Sequence, residues 1–283
     1  MRITRTCPQG QPNTGISACP IDFKYIVAAI LVTKGAKLPA SIDAEALTEL
    51  CHAALPDRIM PIKTFVEYAK NGGEAQTSAV GYGPTQFTGL SPQTDTFSLA
   101  KFSPELNANI LKATNVEFGV YYVDKDNNII GVNDGTDILA PIPVTLIPGA
   151  TPFKTSSAQS VQTVGFAYVD TEYVYRNFDY FNAGFDVASA LVGLVEVELV
   201  PVPGAANKYK IVEHYGGYDR TAEFGPTIGN NVDAIVLGAT GGSYNAADQT
   251  LTITMEGNDA PKLADPHTLF HDGNLEGIAQ YEK

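Results

Sequence analysis

Asp124, Asp126 and Asn128 stand at alternate positions, as in the first half of a calcium loop, where side-chain oxygens converge on one ion. The second half departs from that pattern. Ile129 occupies the place that needs glycine, and the twelfth position is Gly135 instead of a bidentate glutamate. The alternative is a hairpin turn, in which Asp and Asn tolerate left-handed backbone. His267 and His271 are four apart and would share one helix face, the spacing of zinc proteases. The string His267-Thr268-Leu269-Phe270-His271 lacks the catalytic glutamate, so Asp265 or Asp272 would have to complete a metal site. Otherwise the pair is surface histidine. Cys51 and His52 are adjacent, which on a helix points them in different directions and argues against a nucleophile–base pair.

Other chemistries find no anchor. Gly81-Tyr82-Gly83-Pro84 lacks the third glycine of a dinucleotide fingerprint, and neither a Gly-Lys-Ser/Thr phosphate loop nor a Gly-x-Ser-x-Gly elbow is present. Carboxylates are many, but nothing selects a pair. The sequence therefore predicts no catalytic, no cofactor-binding and no metal-ligating residues. The densest feature is aromatic: Tyr168, Tyr173, Tyr175, Phe178, Tyr180, Phe181 and Phe185, with Arg176 among them. A carbohydrate-binding face, a subunit interface and core packing all use such a cluster.

The elements that must position these residues are mostly strands. Residues 23–33 are apolar and β-branched, which predicts a buried strand. Ser41 can cap a helix over 42–55, with Asp43 and Glu45 in its first turn and Ile42, Ala46, Leu47, Leu50 and Ala54 on one stripe; Pro56 ends it. Residues 58–70 read as a strand region. Residues 71–95 are polar and glycine-rich and read as a long exposed loop. Ser103-Pro104-Glu105 starts a second helix over about 104–112. Val116–Val123, a turn at 124–128 and 129–132 form the best hairpin. Strand 138–147 contains Pro141 and Pro143, which suit an edge or a bend. Residues 161–176 alternate in part, 186–191 suit a short helix, and 194–202, 208–213, 232–237 and 250–255 read as strands. The polar tail from Lys262 onward is expected to dock on its own lobe or on a neighbour.

The fold class expected is mainly β with few helices (α+β): an antiparallel β-sandwich or barrel body with a flanking helix, plus a small C-terminal β lobe. The domain reading is an extended arm over 1–22, a body over 23–202 containing the helix 42–55, and a lobe over 203–283 beyond the linker Pro201-Val202-Pro203-Gly204. Pro8, Pro12 and Pro20 mark the arm.

The chain has 283 residues, 44% hydrophobic and only 17% charged. It can bury a full core, and its surface is poor in charge. Eighteen basic against 31 acidic residues give −13. That balance argues against a basic nucleic-acid-binding surface over the whole protein. The longest apolar run, Tyr25–Val32, is too short to span a bilayer, and no apolar core precedes the first proline, so neither a membrane span nor a signal peptide is expected. Three cysteines read as reduced thiols of a protein folded in the cytoplasm, with a Cys7–Cys19 bridge as the alternative.

The run Phe97-Ser98-Leu99-Ala100-Lys101-Phe102-Ser103-Pro104-Glu105-Leu106-Asn107, the hairpin at Asn127-Asn128, and Tyr173-Val174-Tyr175-Arg176-Asn177-Phe178-Asp179 are similar in style to virion proteins of tailed bacteriophages of Bacteroidetes-type hosts. Among these, the chain most resembles a tail tube protein. The resemblance implies a β-sandwich or barrel with a flanking helix, long loops and an arm, assembling with itself as stacked rings around a DNA channel. It implies partners among other virion proteins, DNA that passes without being specifically bound, no cofactor, no membrane, and a place in the virion after synthesis in the host cytoplasm. An acidic channel wall that repels phosphate fits the net charge. A head decoration, connector-ring or capsid protein, a binding module for a cell-surface glycan or protein, and a carboxylate or metal-dependent hydrolase are the alternatives.

Overall fold

A computed structural model describes residues 22–149, 153–154, 160–257 and 259–282. The residues expected to form the N-terminal arm, up to 21, lie outside the described residues, as do Cys7 and Cys19.

In chain order the elements are β1 (Ile26–Thr33), α1 (Ala44–His52), β2 (Met60–Lys63), β3 (Phe65–Asn71), β4 (Ala75–Ala79), β5 (Thr85–Leu90), β6 (Thr94–Leu99), α2 (Pro104–Lys112), β7 (Glu117–Asp124), β8 (Asn128–Val132) and β9 (Ile142–Pro148). They continue as β10 (Gln162–Tyr168), α3 (Thr171–Asn177), β11 (Phe178–Asn182), α4 (Val187–Ala190), β12 (Val195–Pro201), β13 (Lys208–Glu213), α5 (Thr221–Asn230) and α6 (Val232–Ile235). The last are β14 (Val236–Leu237), β15 (Ala239–Asn245), β16 (Thr250–Met255), β17 (Lys262–Leu263), α7 (Pro266–His271) and β18 (Ile278–Gln280). The protein is mainly β, with antiparallel sheets and short helices, and the larger sheet curls into a half-barrel.

The chain divides into two compact units. The first holds residues up to Ala44 together with Pro61–Ala190; the second holds Glu45–Met60 together with Leu191–Lys283. The expected division at 202/203 is corrected by strand pairing: it falls inside the antiparallel pair β12–β13, in which Val197 faces Glu213 and Pro201 faces Tyr209. The helix expected in the body also belongs, from Glu45 onward, to the second unit.

In the first unit a nine-stranded sheet runs β11-β8-β7-β9-β10-β6-β3, with β1 also on β7 and β2 on β1. β1 and β7 form its apolar centre. Ala28–Val32 and Val120–Val123 are all buried because both are continuous apolar runs. The hairpin β7–β8 forms where the sequence predicts it. Asp124 Oδ1 accepts from the backbone N–H of Asp126 and of Asn128, both at 2.9 Å. Its Oδ2 accepts from Asn128 Nδ2 at 2.8 Å and Lys24 N at 3.2 Å, while Asn127 takes φ +61°. The Asp/Asn pattern is thus spent on the turn. α2 is capped as expected, Ser103 Oγ accepting from Leu106 N.

Two expectations here are overturned. The loop read over 71–95 contains the hairpin β4–β5 and the start of β6. Residues 74–88 are exposed throughout, so the hairpin leaves no alternating apolar signature. β9, whose prolines suit an edge or a bend, is not at an edge: it is paired on both sides, with β7 and β10. Pro143 is tolerated because it faces Gly119 of β7 one residue beyond the last β10 pair, Val144 with Tyr168.

In the second unit the sheet runs β15-β16-β13-β12-β18. The tail docks on its own lobe: β18 pairs in parallel with β12, Val195 facing Ile278. The core joins Val197, Ile211, Ile228, Val232, Ile235, Leu251, Ile253, Leu269 and Leu275. The strand expected over 232–237 is α6 followed by the two-residue β14, and α5 and β15 are additions.

Candidate functional site

A cleft of about 1060 Å³ opens in the first unit. Its polar floor is set by alternation in and just before β6. Gln93, Asp95 and Phe97 lie two residues apart, and all three are buried, with Asp95 only 3% exposed. Neighbouring strands bring tyrosines onto this carboxylate. Tyr68 comes from β3, which pairs with β6, and Tyr168 comes from the end of β10, which pairs with β6 on the other side.

The hydrogen bonds run one way. Lys70 Nζ donates to Tyr175 Oη at 2.9 Å, Tyr175 Oη to Gln93 Oε1 at 2.8 Å, and Gln93 Nε2 to Asp95 Oδ1 at 2.8 Å. Tyr68 Oη donates to the same Oδ1 at 2.9 Å and Tyr168 Oη to Oδ2 at 2.5 Å. Each donor is polarised by the next, and the chain ends on the buried charge. Tyr122 of β7 stands beside this group. Its hydroxyl is fully enclosed and stands against Tyr168 and Asp95.

The walls are aromatic. Phe97 stacks on Phe65 at 4.5 Å between ring centroids and meets Tyr68 at 5.1 Å, Tyr122 at 5.3 Å and Phe166 at 5.8 Å. At the rim, Phe23 packs edge-on against Phe178 at 5.7 Å and Tyr180 at 5.0 Å. Val66, Glu67 and Tyr25 also line the cleft.

Burial raises the ionisation of the Tyr68, Tyr122 and Tyr168 phenols above the ordinary tyrosine range, and the nearby Asp95 charge adds to it. They stay protonated at neutral pH and act as hydrogen-bond donors instead of phenolate bases. Asp95 already accepts three donors. The arrangement suits recognition of a donor-bearing, cationic or planar group better than proton transfer.

The residues singled out from sequence fall in different places. Tyr168 and Tyr175 of the aromatic cluster do face this cleft, and Phe178 stands at its rim. Asp95, Gln93, Tyr122 and Tyr68 were not singled out. No linear pattern marks them: Gln93, Thr94, Asp95 and Thr96 are all polar, and only the pairing of β6 with β3 and β10 buries the alternate ones. In the second unit Cys51 and His52 are both buried. Cys51 Sγ accepts from Val192 N at 3.4 Å, and His52 stacks on Phe270 at 4.5 Å. The His267 and His271 rings lie 4.4 Å apart on α7, but Asp265 is occupied as the cap of that helix, accepting from His267 N and Thr268 N. Among the described residues no group of three or more His, Cys, Asp or Glu is placed to hold a metal ion. No helix among them is long and apolar enough to cross a membrane.

The chain matches no protein-family model and no curated protein.

Proposed function

We propose that the chain is a structural subunit of a tailed-phage virion, a tail tube subunit that assembles with itself into stacked rings around a DNA channel and performs no catalysis. The observation that carries this reading is the hairpin β4–β5. It is a two-stranded sheet of its own, exposed over 74–88, and it bears Val80 at 75% exposure, Phe87 at 57% and a fully exposed Tyr82. An isolated two-stranded hairpin has little stability in water, and apolar groups at its tip add an exposed patch. Both features are resolved when a neighbour covers the hairpin. The edge strand β3 of the nine-stranded sheet offers further backbone for such contacts. The net charge of −13 supports a channel that repels phosphate instead of holding it.

The test is assembly of the purified full-length chain. Sedimentation velocity is expected to show concentration-dependent oligomers, and negative-stain images rings or tubes. Val80→Asp combined with Phe87→Asp is expected to abolish them while leaving the circular dichroism spectrum unchanged, since both side chains are exposed. A wild-type chain that stays monomeric at high concentration and never forms rings overturns the reading. Closed single rings without stacking move the assignment to a connector or head decoration.

A further inference from the structure

Two groups of exposed apolar side chains stand out in the first unit. Around the mouth of the aromatic cleft, Tyr25 and Val66 are mostly exposed, and Tyr68, Tyr175 and Phe178 about half exposed. The other group is Val80, Tyr82 and Phe87 of the hairpin β4–β5 and its turn. Clustered apolar surface of this kind marks a contact site. The two groups lie at opposite ends of one stretch of chain. β3 and β6, paired as far as Asn71 with Thr94, carry Val66, Tyr68 and Asp95 of the cleft. β3 leads on into β4 through Gly72 and Gly73, at φ +82° and +79°, and β5 returns into β6. A Cβ on Gly72 would stand 1.9 Å from the Pro92 carbonyl oxygen, so this bend needs glycine.

From Gly73, about nine residues at about 3.3 Å each place Tyr82 roughly 30 Å from the root of the hairpin. A paired hairpin of that length does not fold back onto the cleft at its own root, so tip and cleft meet between copies. Such a contact joins two different patches, and it repeats from copy to copy into rings or open stacks. Shape and charge fit. Gly81 and Gly83 flank Tyr82 and keep the tip narrow, and the cleft, at about 1060 Å³, holds several side chains. Residues 75–90 carry no charged side chain. The charged groups at the cleft already have partners. Lys24 pairs with Asp22 at 2.6 Å, Lys70 donates to Tyr175, Glu67 accepts from Ser98, and Asp95 accepts from Tyr68, Gln93 and Tyr168. An uncharged tip enters without displacing any of them, and in a chain of net charge −13 it brings no like-charge repulsion. Residues 74–88 are exposed throughout. At the roughly 30–40 Å² per residue of an ordinary interface they bury about 500 Å² a side, about 1,000 Å² in all, the lower bound for a specific contact.

We propose that the aromatic cleft of each copy receives the tip of the β4–β5 hairpin of a second copy, with Tyr82 seated among Tyr25, Val66, Tyr68 and Phe178. The proposal rests on the self-assembly reading and names the surface that covers the hairpin. It fails separately from that reading, since copies that assemble could cover the hairpin with another face.

The test splits the contact between two full-length chains. The first carries Val80→Asp and Phe87→Asp and keeps its cleft, with the photo-crosslinking residue p-benzoylphenylalanine in place of Tyr25. The second carries Tyr25→Asp and Val66→Asp and keeps its hairpin. All four positions are exposed, and circular dichroism checks that both chains fold. Should the second pair of substitutions disturb the fold, Tyr25→Ser with Val66→Ser gives the same readout. Each chain alone is expected to sediment as a monomer. The equimolar mixture is expected to form pairs, one chain of each kind, that grow no further. On irradiation the first chain is expected to link to tryptic peptide 71–101 of the second, which differs in mass from the first chain's own Asp-bearing peptide. Tyr82→Ser in the second chain is expected to weaken the pair about tenfold, the worth of one buried aromatic side chain. Raising the salt concentration is expected to leave the pair intact, as an uncharged contact requires. Two folded chains that stay monomeric when mixed overturn the proposal. So does a cross-link only to the first chain's own hairpin, or only to residues 1–21. Wild-type assembly separates the two ideas. If the second chain alone still builds the wild-type oligomers, self-assembly stands and the seat is removed; a monomeric wild type removes both.

Discussion

The hydroxyls of Tyr168 and Tyr122 both stand against the buried Asp95 carboxylate, but only Tyr168 makes a short bond to it, and that difference sets the sign of two substitutions. Tyr168→Phe removes a short donor to Asp95 Oδ2 and leaves a buried carboxylate oxygen short of a partner. The expected cost is about 1–3 kcal/mol, read as a lower urea midpoint with an unchanged slope. Tyr122→Phe removes an enclosed hydroxyl that stands beside Asp95 and Tyr168 without a well-formed hydrogen bond among the described residues. The midpoint is expected to hold or rise, since a poorly satisfied buried group is lost without breaking a strong bond. A marked loss of stability in Tyr122→Phe would show that Asp95 or Tyr168 holds this hydroxyl firmly in solution. Little of this was visible in the linear sequence. Tyr168 and Tyr175 stood out because they belong to a dense aromatic run. Asp95 did not, because its meaning comes from Tyr68, 27 positions earlier, and Tyr168, 73 positions later, through strand pairing.

Elements were legible where local chemistry decided them. Ser103-Pro104 begins α2 because the cap and the fixed proline angle act within one turn. The hairpin β7–β8 follows from two apolar runs around an Asp/Asn turn. α5 was hidden for the converse reason. Its sequence, TAEFGPTIGN, contains Gly225, Pro226 and Gly229, all poor helix formers, so tertiary packing must override propensity. The packing is specific. A Cβ at Gly229 would stand 2.5 Å from the backbone nitrogen of Tyr244, and one at Gly225 would stand 2.6 Å from its ring. The two glycines, four apart, form a flat face against which β15 lies. Gly229→Ala gains helix propensity of about 1 kcal/mol but must displace backbone. The net effect is expected to be destabilising by about 1–2 kcal/mol, measured by thermal unfolding, with the larger loss of near-ultraviolet signal coming from Tyr244. A stabilised variant would show that the helix can retreat from the strand without cost. β4–β5 escaped sequence reading for a third reason: a hairpin exposed on both faces has no buried side to impose alternation.

At the scale of the molecule, the order of the chain and the order of the units differ, and the proline-rich stretch at 201–204 misleads because of it. Pro201 ends a strand, β12, that lies between β13 and β18 in the second unit's sheet. That unit also takes in Glu45–Met60 from far upstream. Within it, Leu47, Cys51, His52 and Ile59 are all buried. Gly277 N donates to His52 Nε2 at 3.1 Å while His52 Nδ1 bonds the Thr48 carbonyl at 2.8 Å, so the ring ties α1 to the C-terminal turn. A fragment starting at Leu191 therefore keeps the five-stranded sheet but lacks α1. Losing burial of Leu47 and Ile59 alone forfeits about 3–6 kcal/mol, against a total stability for a small domain of about 5–15 kcal/mol. Residues 191–283 produced alone are expected to give a poorly dispersed amide spectrum. The same fragment fused through a flexible linker to residues 44–60 is expected to recover dispersion. A fragment from 203 onward, lacking β12 as well, is expected to stay unfolded in both forms. If residues 191–283 gave a fully dispersed spectrum unaided, α1 would be an attachment to a self-sufficient lobe. If only the fused form folds, the second unit is a discontinuous domain whose core closes after its last strand is made, and cutting the chain at its apparent linker separates nothing that can stand alone.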